Sequence, residues 1–285
     1  VTISSNRELV DAELAGQSRQ YEFVKNVTQV TTAGIWYDLT GSAGNPKAKQ
    51  WFDAAPLTAN AIAQSTDGGI FHGGNVAPAE KYLRFMRASF SRAEPLTLIL
   101  CDYLLYYPSI EDGTTDPQVM DNTVTLPRYA DGAGVQMMAV TISARTGGQT
   151  FSVSYTNQDG TAGRTSPTVT QNAIAAPGTI TTSQTATAGT TPGPYIPLQL
   201  GDTGVRSVES VTMNGADTGF FALVLVKPLA QIMLRSNDAP YDKDFLLFSS
   251  ELERIQDDAY LSLLALPMGS LSGIAVRGAL KTVWN

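Results

Sequence analysis

Gln149-Thr-Phe-Ser-Val-Ser-Tyr-Thr-Asn-Gln-Asp-Gly160 is the stretch whose reading decides the fold class. Phe151, Val153 and Tyr155 alternate with Ser152 and Ser154, a period of two that gives an extended strand one apolar and one polar face. Asn157-Gln158-Asp159-Gly160 then supplies the residues a tight turn needs, and residues 165–170 read as the returning strand. Downstream, residues 205–213 and 220–226 read as two more strands. They are joined through Asn214-Gly215, a pair that tolerates the left-handed conformation, so the expectation is a hairpin. Residues 260–266 and 280–284 supply closing strands.

Upstream, residues 135–144 and the apolar run 96–107 read as strands, the second as a buried one. Over residues 81–91, Leu83, Phe85, Arg87 and Ser89 alternate with Tyr82, Arg84, Met86 and Ala88, which favours strand over helix. Val24, Val27, Val30 and the Ile35-Trp36-Tyr37 cluster make residues 24–38 strand-like. Only residues 6–20 carry a helical pattern, with Leu9, Val10, Glu13 and Leu14 sharing a face and Ser4 or Ser5 available as N-cap. Residues 173–194, rich in Thr, Ala, Gly and Pro, offer almost no large apolar side chain and read as a surface excursion. Many short strands, frequent turns and little helix predict an all-β fold, a β-sandwich or jelly roll with an N-terminal arm or short helix. The domain reading is an arm over residues 1–30 and a β-rich body over 31–285, divisible into lobes 31–134 and 135–285.

Composition narrows the role. Among 285 residues only 16% are charged, against about 25% in an average soluble protein. A surface finished with Ser, Thr, Asn, Gln and Gly follows. A net charge of −7 argues against nucleic acid as partner, since a phosphate-backbone binder needs a clustered Lys/Arg footprint. No apolar run approaches the ~20 residues that span a bilayer, and residues 1–6 carry no signal pattern, so a soluble chain without membrane contact is expected. The lone Cys101 lies in an apolar run and reads as a small buried hydrophobe.

Several residue sets invite a chemical reading. Asp202-Thr203-Gly204 and Asp217-Thr218-Gly219 repeat the tripeptide of aspartic proteases, whose two carboxylates share one proton at close range. Here a nine-residue strand separates them by roughly 30 Å, so both read as turns. His72, the single histidine, sits in a Gly-rich turn without a nucleophile elbow and reads as a loop or interface residue. Glu111, Asp112, Asp116, Asp121 and Asp131 concentrate in the loop 111–131, where a Ca²⁺ site is weighed against a solvated loop and the loop is preferred. Trp36, Tyr37, Trp51, Phe52, Tyr103, Tyr106 and Tyr107 suggest a sugar platform, with core or interface packing the preferred reading. No catalytic residue, cofactor or metal ligand is assigned.

Particular phrases carry a resemblance. Gln149 to Gly160 with Ala162-Gly163-Arg164-Thr165-Ser166, and Pro197-Leu198-Gln199-Leu200-Gly201-Asp202-Thr203-Gly204-Val205-Arg206-Ser207-Val208, resemble virion structural proteins of tailed bacteriophages. So do Trp36-Tyr37-Asp38-Leu39 with Gly44-Asn45-Pro46-Lys47, and Leu100-Cys101-Asp102-Tyr103-Leu104-Leu105-Tyr106-Tyr107-Pro108. The resemblance implies a non-enzymatic virion component, foremost a capsid decoration or cement protein that binds the major capsid protein and stabilises the head. It also implies assembly in the bacterial host cytoplasm. A low-charge, Thr-rich β chain with sheet edges to cover is expected to form a homo-oligomer, and the resemblance puts a trimer slightly ahead of a dimer. A tail or head-fibre component, or a receptor- or carbohydrate-binding module, is the alternative.

Overall fold

The computed structural model describes residues 3–285 apart from 93, 172–175, 182–183, 186–192, 236–238 and 247–251. The described residues open with one helix, α1 (Asn6–Leu14). Its cap is reciprocal: the Ser5 hydroxyl accepts from the Glu8 N–H, and the Glu8 carboxylate accepts from the Ser4 N–H and hydroxyl. Nine longer strands follow: β1 (Ser18–Val27), β2 (Lys81–Phe90), β3 (Leu96–Glu111), β4 (Gln136–Thr141), β5 (Thr150–Asn157), β6 (Val205–Met213), β7 (Phe220–Leu234), β8 (Tyr260–Pro267) and β9 (Ile274–Trp284). All their pairings are antiparallel. The fold is all-β, of the layered sandwich class.

Three sheets share the work. The central one runs Tyr37–Asp38, β8, β3, β7, β4. A first outer sheet runs Tyr241–Asp244, β2, β9, β1, Ala43–Asn45, and a second runs Gln184–Thr185, Val169–Thr170, β5, β6, Gln118–Val119. In β3 the residues Leu96 to Pro108 are buried without a break, as in a strand covered on both faces. Leu96, Leu98 and Leu100 join one core with Leu83, Met86 and Leu280 of the first outer sheet. Leu105, Tyr107 and Ile110 join another with Phe151, Val153 and Val208 of the second. Ile99, Cys101, Tyr103 and Tyr106 enter a third core, roofed by loop residues Trp36, Trp51, Ile62 and Ile180. The β3–β7 register skips one residue at Leu104, a bulge that flips the parity. Side chains 98, 100, 105 and 107 therefore fall on one side, so both outer sheets pack on the same face of the central sheet.

Where those two cores meet, the strand carries Asp102. Arg128 grips it bidentately, Nε to Oδ2 at 2.9 Å and Nη2 to Oδ1 at 2.7 Å, and also donates to the Ile62 and Tyr103 carbonyls. The Tyr260 N–H donates to the same carboxylate at 3.0 Å. Both charged side chains are sealed from solvent.

Three expectations change. Residues 205–213 and 220–226 do not form a hairpin: β6 pairs with β5, and β7 with β3 and β4. Asn214-Gly215 instead begins a crossing between sheets, with the Asn214 N–H donating to the Thr150 carbonyl. The arm drawn over 1–30 contains a strand of the first outer sheet, since β1 pairs with β9 from Ser18↔Val283 to Val27↔Ile274. Its helix packs Leu9 and Ala12 onto Tyr82 and Val283. Much of the excursion 173–194 lies outside the described residues, but Thr179, Ile180 and Thr181 are buried, with bridges from Thr179 to Tyr37 and from Ile180 to Val140. Gly178 is required there, because a Cβ would sit 2.9 Å from the Tyr37 ring. Among the described residues no helix is long and apolar enough to cross a membrane.

Removing one member of a buried ion pair strands the other charge. Asp102→Ala is therefore expected to cost about 3–5 kcal/mol in denaturant unfolding, whereas Asp102→Leu combined with Arg128→Met recovers most of it.

Candidate functional site

Both Asp-Thr-Gly copies lie in the loops that flank β6, one at each end. Asp202 accepts from Tyr155 Oη at 2.6 Å, Asn157 Nδ2 at 2.8 Å and Arg164 Nε at 2.9 Å. These bonds, Arg164's first, hold its carboxyl down at about 2. Asp217 accepts from the Thr146 hydroxyl and from the Gly147 and Thr218 N–H groups. Each carboxylate tethers loops beside its own end of the strand, and neither contacts the other.

The acidic loop is likewise committed. Asp112 is buried and bidentate to Arg145, whose Nε lies 2.5 Å away, and it also accepts from Gln171. Asp116, Asp121 and Asp131 sit in turns, the first capped by Thr114, the others accepting from the Thr123 and Ala133 N–H groups. No group of three potential metal ligands occurs among the described residues. Of the seven aromatics, six are core; only Phe52 is exposed. Trp51 stacks on Tyr103 at 5.3 Å, and Trp51 Nε1 and Tyr103 Oη both donate to buried Asp38. Burial drives the Asp38 carboxyl upward, opposed by these bonds. Cys101 is fully buried, 3.6 Å from Tyr195 Oη.

His72 has the most developed environment. It is fully buried, with Nε2 2.9 Å from the Ala259 carbonyl and Nδ1 3.1 Å from Lys81 Nζ. A ring that donates through Nε2 and accepts at Nδ1 satisfies both contacts, which requires neutral imidazole. Burial and the adjacent Lys81 charge hold it so, pushing its pKa down to about 4. Neither nitrogen is left to activate a nucleophile. Lys81, buried at the start of β2, donates to the Gly74 carbonyl at 2.7 Å, and burial lowers its pKa too. The pair backs a pocket of about 230 Å³ whose other walls include Arg19, Tyr21, Asn75 and Trp284.

A second buried lysine, Lys25, donates to the Ser42 carbonyl at 3.1 Å and the Pro46 carbonyl at 3.0 Å, with Thr40 O at 3.4 Å. Burial pushes it down to about 8. Its role is to pin the loop beneath the aromatic roof to β1. Sequence reading singled out neither lysine. The available signal was period two: Lys25 falls between Phe23 and Val27 on the inward register, and Lys81 shares a face with Leu83.

The other concavity is broad. The outer face of the first outer sheet forms an open groove of about 650 Å³ lined by Gln20, Glu22, Asn26, Arg87, Ser89 and Arg277. Arg87 is held there by a bidentate pair with Asp242.

The geometry thus defines an all-β protein in which Asp112, Asp202 and Asp217 tie loops to the sheets, while Glu111, Asp116, Asp121 and Asp131 stay exposed. No protein-family model matches the chain, and no curated protein matches it. Solved structures give low similarity. A mutant VP2 protein of infectious bursal disease virus, in derived T=1 particles, aligns at 11% identity over 94% of this chain and 78% of that one, with a TM-score of 0.18. The Gt strain of the same virus aligns at 11% over 94% and 80%, with a TM-score of 0.18, and the Gx strain at 10% over the same shares, with 0.17. Superposition at this level bears on neither ancestry nor role, and the fold assignment rests on the strand pairing.

His72 supplies a pH test. Its folded pKa lies near 4 against 6.5 when free, so below 6.5 the unfolded chain takes up the extra proton and stability falls as pH drops toward 4. The wild type is expected to lose about 3 kcal/mol relative to His72→Gln between those limits. Urea midpoints of both proteins across that range check it, and parallel curves would refute it.

Proposed function

We propose that the chain is a non-enzymatic structural protein of a bacteriophage virion, foremost a capsid decoration or cement protein bound to the major capsid shell. The observation that carries the reading is how the chain uses its charges. Asp102 with Arg128, Asp112 with Arg145 and Asp202 with Arg164 are spent on joining sheets and loops. The outer sheet face mixes the uncharged polar side chains of Gln20, Asn26 and Ser89 with the charged Glu22, Arg87 and Arg277. A body braced this way suits a particle component, which gains attachment by repeating many modest contacts. The resemblance of residues 149–166 and 197–208 to tailed-phage virion proteins supports the same reading.

The proposed partners are the major capsid protein or other virion proteins, and further copies of this chain, a trimer ahead of a dimer. The exposed outer face of the first outer sheet is the surface offered for such contacts. Antibody-gold labelling of the parent particle tests the proposal: gold on the head surface is expected, and particles free of the protein by mass spectrometry would refute it.

A further inference from the structure

The pocket behind His72 is lined by donors. Its lining residues include no aspartate or glutamate, in a chain of net charge −7. Lys81 is about 2% exposed, and its ammonium bonds only His72 Nδ1 and the Gly74 carbonyl, leaving one N–H unassigned. It makes no salt bridge among the described residues. The nearest acid acting on it, Asp257, is occupied by the Val76 and Ala77 N–H groups at 3.0 and 3.3 Å. Glu80, next in sequence, pairs with Arg254 and accepts from the Tyr82 hydroxyl. A buried ammonium without a counterion is costly, and a bound anion removes the cost.

Three further donors face the same space. The Arg19 guanidinium, exposed at the pocket wall, forms no hydrogen bond or ion pair among the described residues, and the Tyr21 hydroxyl has no hydrogen-bond partner there either. Asn75 accepts from the Asp258 N–H through its oxygen, which leaves its amide N–H₂ free to donate. Gly73 forms the floor at φ +95. A Cβ there would sit 2.7 Å from the Tyr21 hydroxyl and 3.7 Å from Lys81 Nζ, so the phenol and the ammonium converge on a spot that only glycine keeps open. The Tyr21 ring is itself braced edge-on against Phe71 at 5.0 Å.

We infer that this pocket is a binding site for a small tetrahedral oxyanion, a phosphate ion or a phosphate monoester, held by Lys81, Arg19, Tyr21 and Asn75. The forked guanidinium at the wall and the point charge at the back complement an anion with several acceptor oxygens. Neutral His72 positions Lys81 by accepting a hydrogen bond from one of its N–H groups, so the remaining N–H is directed elsewhere.

Calorimetric titration of the intact protein at pH 7 and constant ionic strength tests the site, with sodium phosphate, glycerol 1-phosphate and sodium acetate as probes. Saturable one-to-one phosphate binding is expected. Arg19→Gln, an exposed change that leaves the fold intact, should weaken it by about tenfold. Lys81→Met should abolish it, and Arg277→Gln on the outer sheet face should leave it unchanged. Tighter binding of glycerol 1-phosphate identifies an esterified source, and binding of the inorganic ion alone identifies the free one; either supports the site. No saturable heat with phosphate, equal binding of acetate, or undiminished binding by Arg19→Gln would overturn it.

Discussion

The ladder between β3 and β7 is the constraint on which the rest depends. It pairs Leu96 with Leu234 at one end and Glu111 with Phe220 at the other, a span of roughly 50 Å at ~3.3 Å per residue. One face of this ribbon supports both outer sheets and the other carries the aromatic roof. A ribbon that long cannot stay flat, because strands twist, and its three register shifts absorb the curvature. Pro228, which has no N–H to give a ladder, sits beside one of those shifts.

Buried charge is the second organising theme, and it works at seams. Asp102 with Arg128 lies between the two cores on one face of the ribbon. Asp112 with Arg145 closes the end where β3 leaves the sheet, and the Arg145 guanidinium also covers the Phe221 ring at 4.6 Å. Lys25 and Asp38 fix the roof. Each group is expensive to bury and fully bonded, so each specifies one arrangement of loops against sheets. The pocket behind His72 departs from this pattern, since its lysine has two bonds among the described residues, to His72 and the Gly74 carbonyl, where Lys25 has three carbonyls.

How much of this was legible in the sequence follows from what each pattern reports. The alternation of Phe151, Val153 and Tyr155 gave β5 and its inward face correctly, because the second outer sheet is covered on one side only. The largely apolar run of β3 gave a buried strand, but a run buried on both faces carries no information about which sheets cover it. Asn214-Gly215 misled because turn chemistry is local, while strand pairing is decided by burial elsewhere: β7 is too apolar to serve a one-sided sheet and is drawn into the centre. The segment read as an arm over residues 1–30 contains β1, which gains its place through a ten-residue register with β9, a contact more than 240 residues away in sequence. Asp202 and Asp217, read as turns, lie in the irregular loops that flank β6. Lys25 and Lys81 were passed over because a charge on the inward register looks like an interruption until its carbonyl partners are in place.

The shared ribbon makes the chain one cooperative body rather than two lobes on a hinge, and that claim is testable. Native-state hydrogen exchange, followed by peptide mass spectrometry, reads it directly. Amides in residues 96–107 and 221–232 should be the slowest to exchange, and the slowest amides of β5 and β9 should open with the same free energy, as one unfolding unit requires. Opening of the β5–β6 sheet at a free energy well below that of the β9–β1 sheet would contradict it, and would mean that the ribbon joins two independent units.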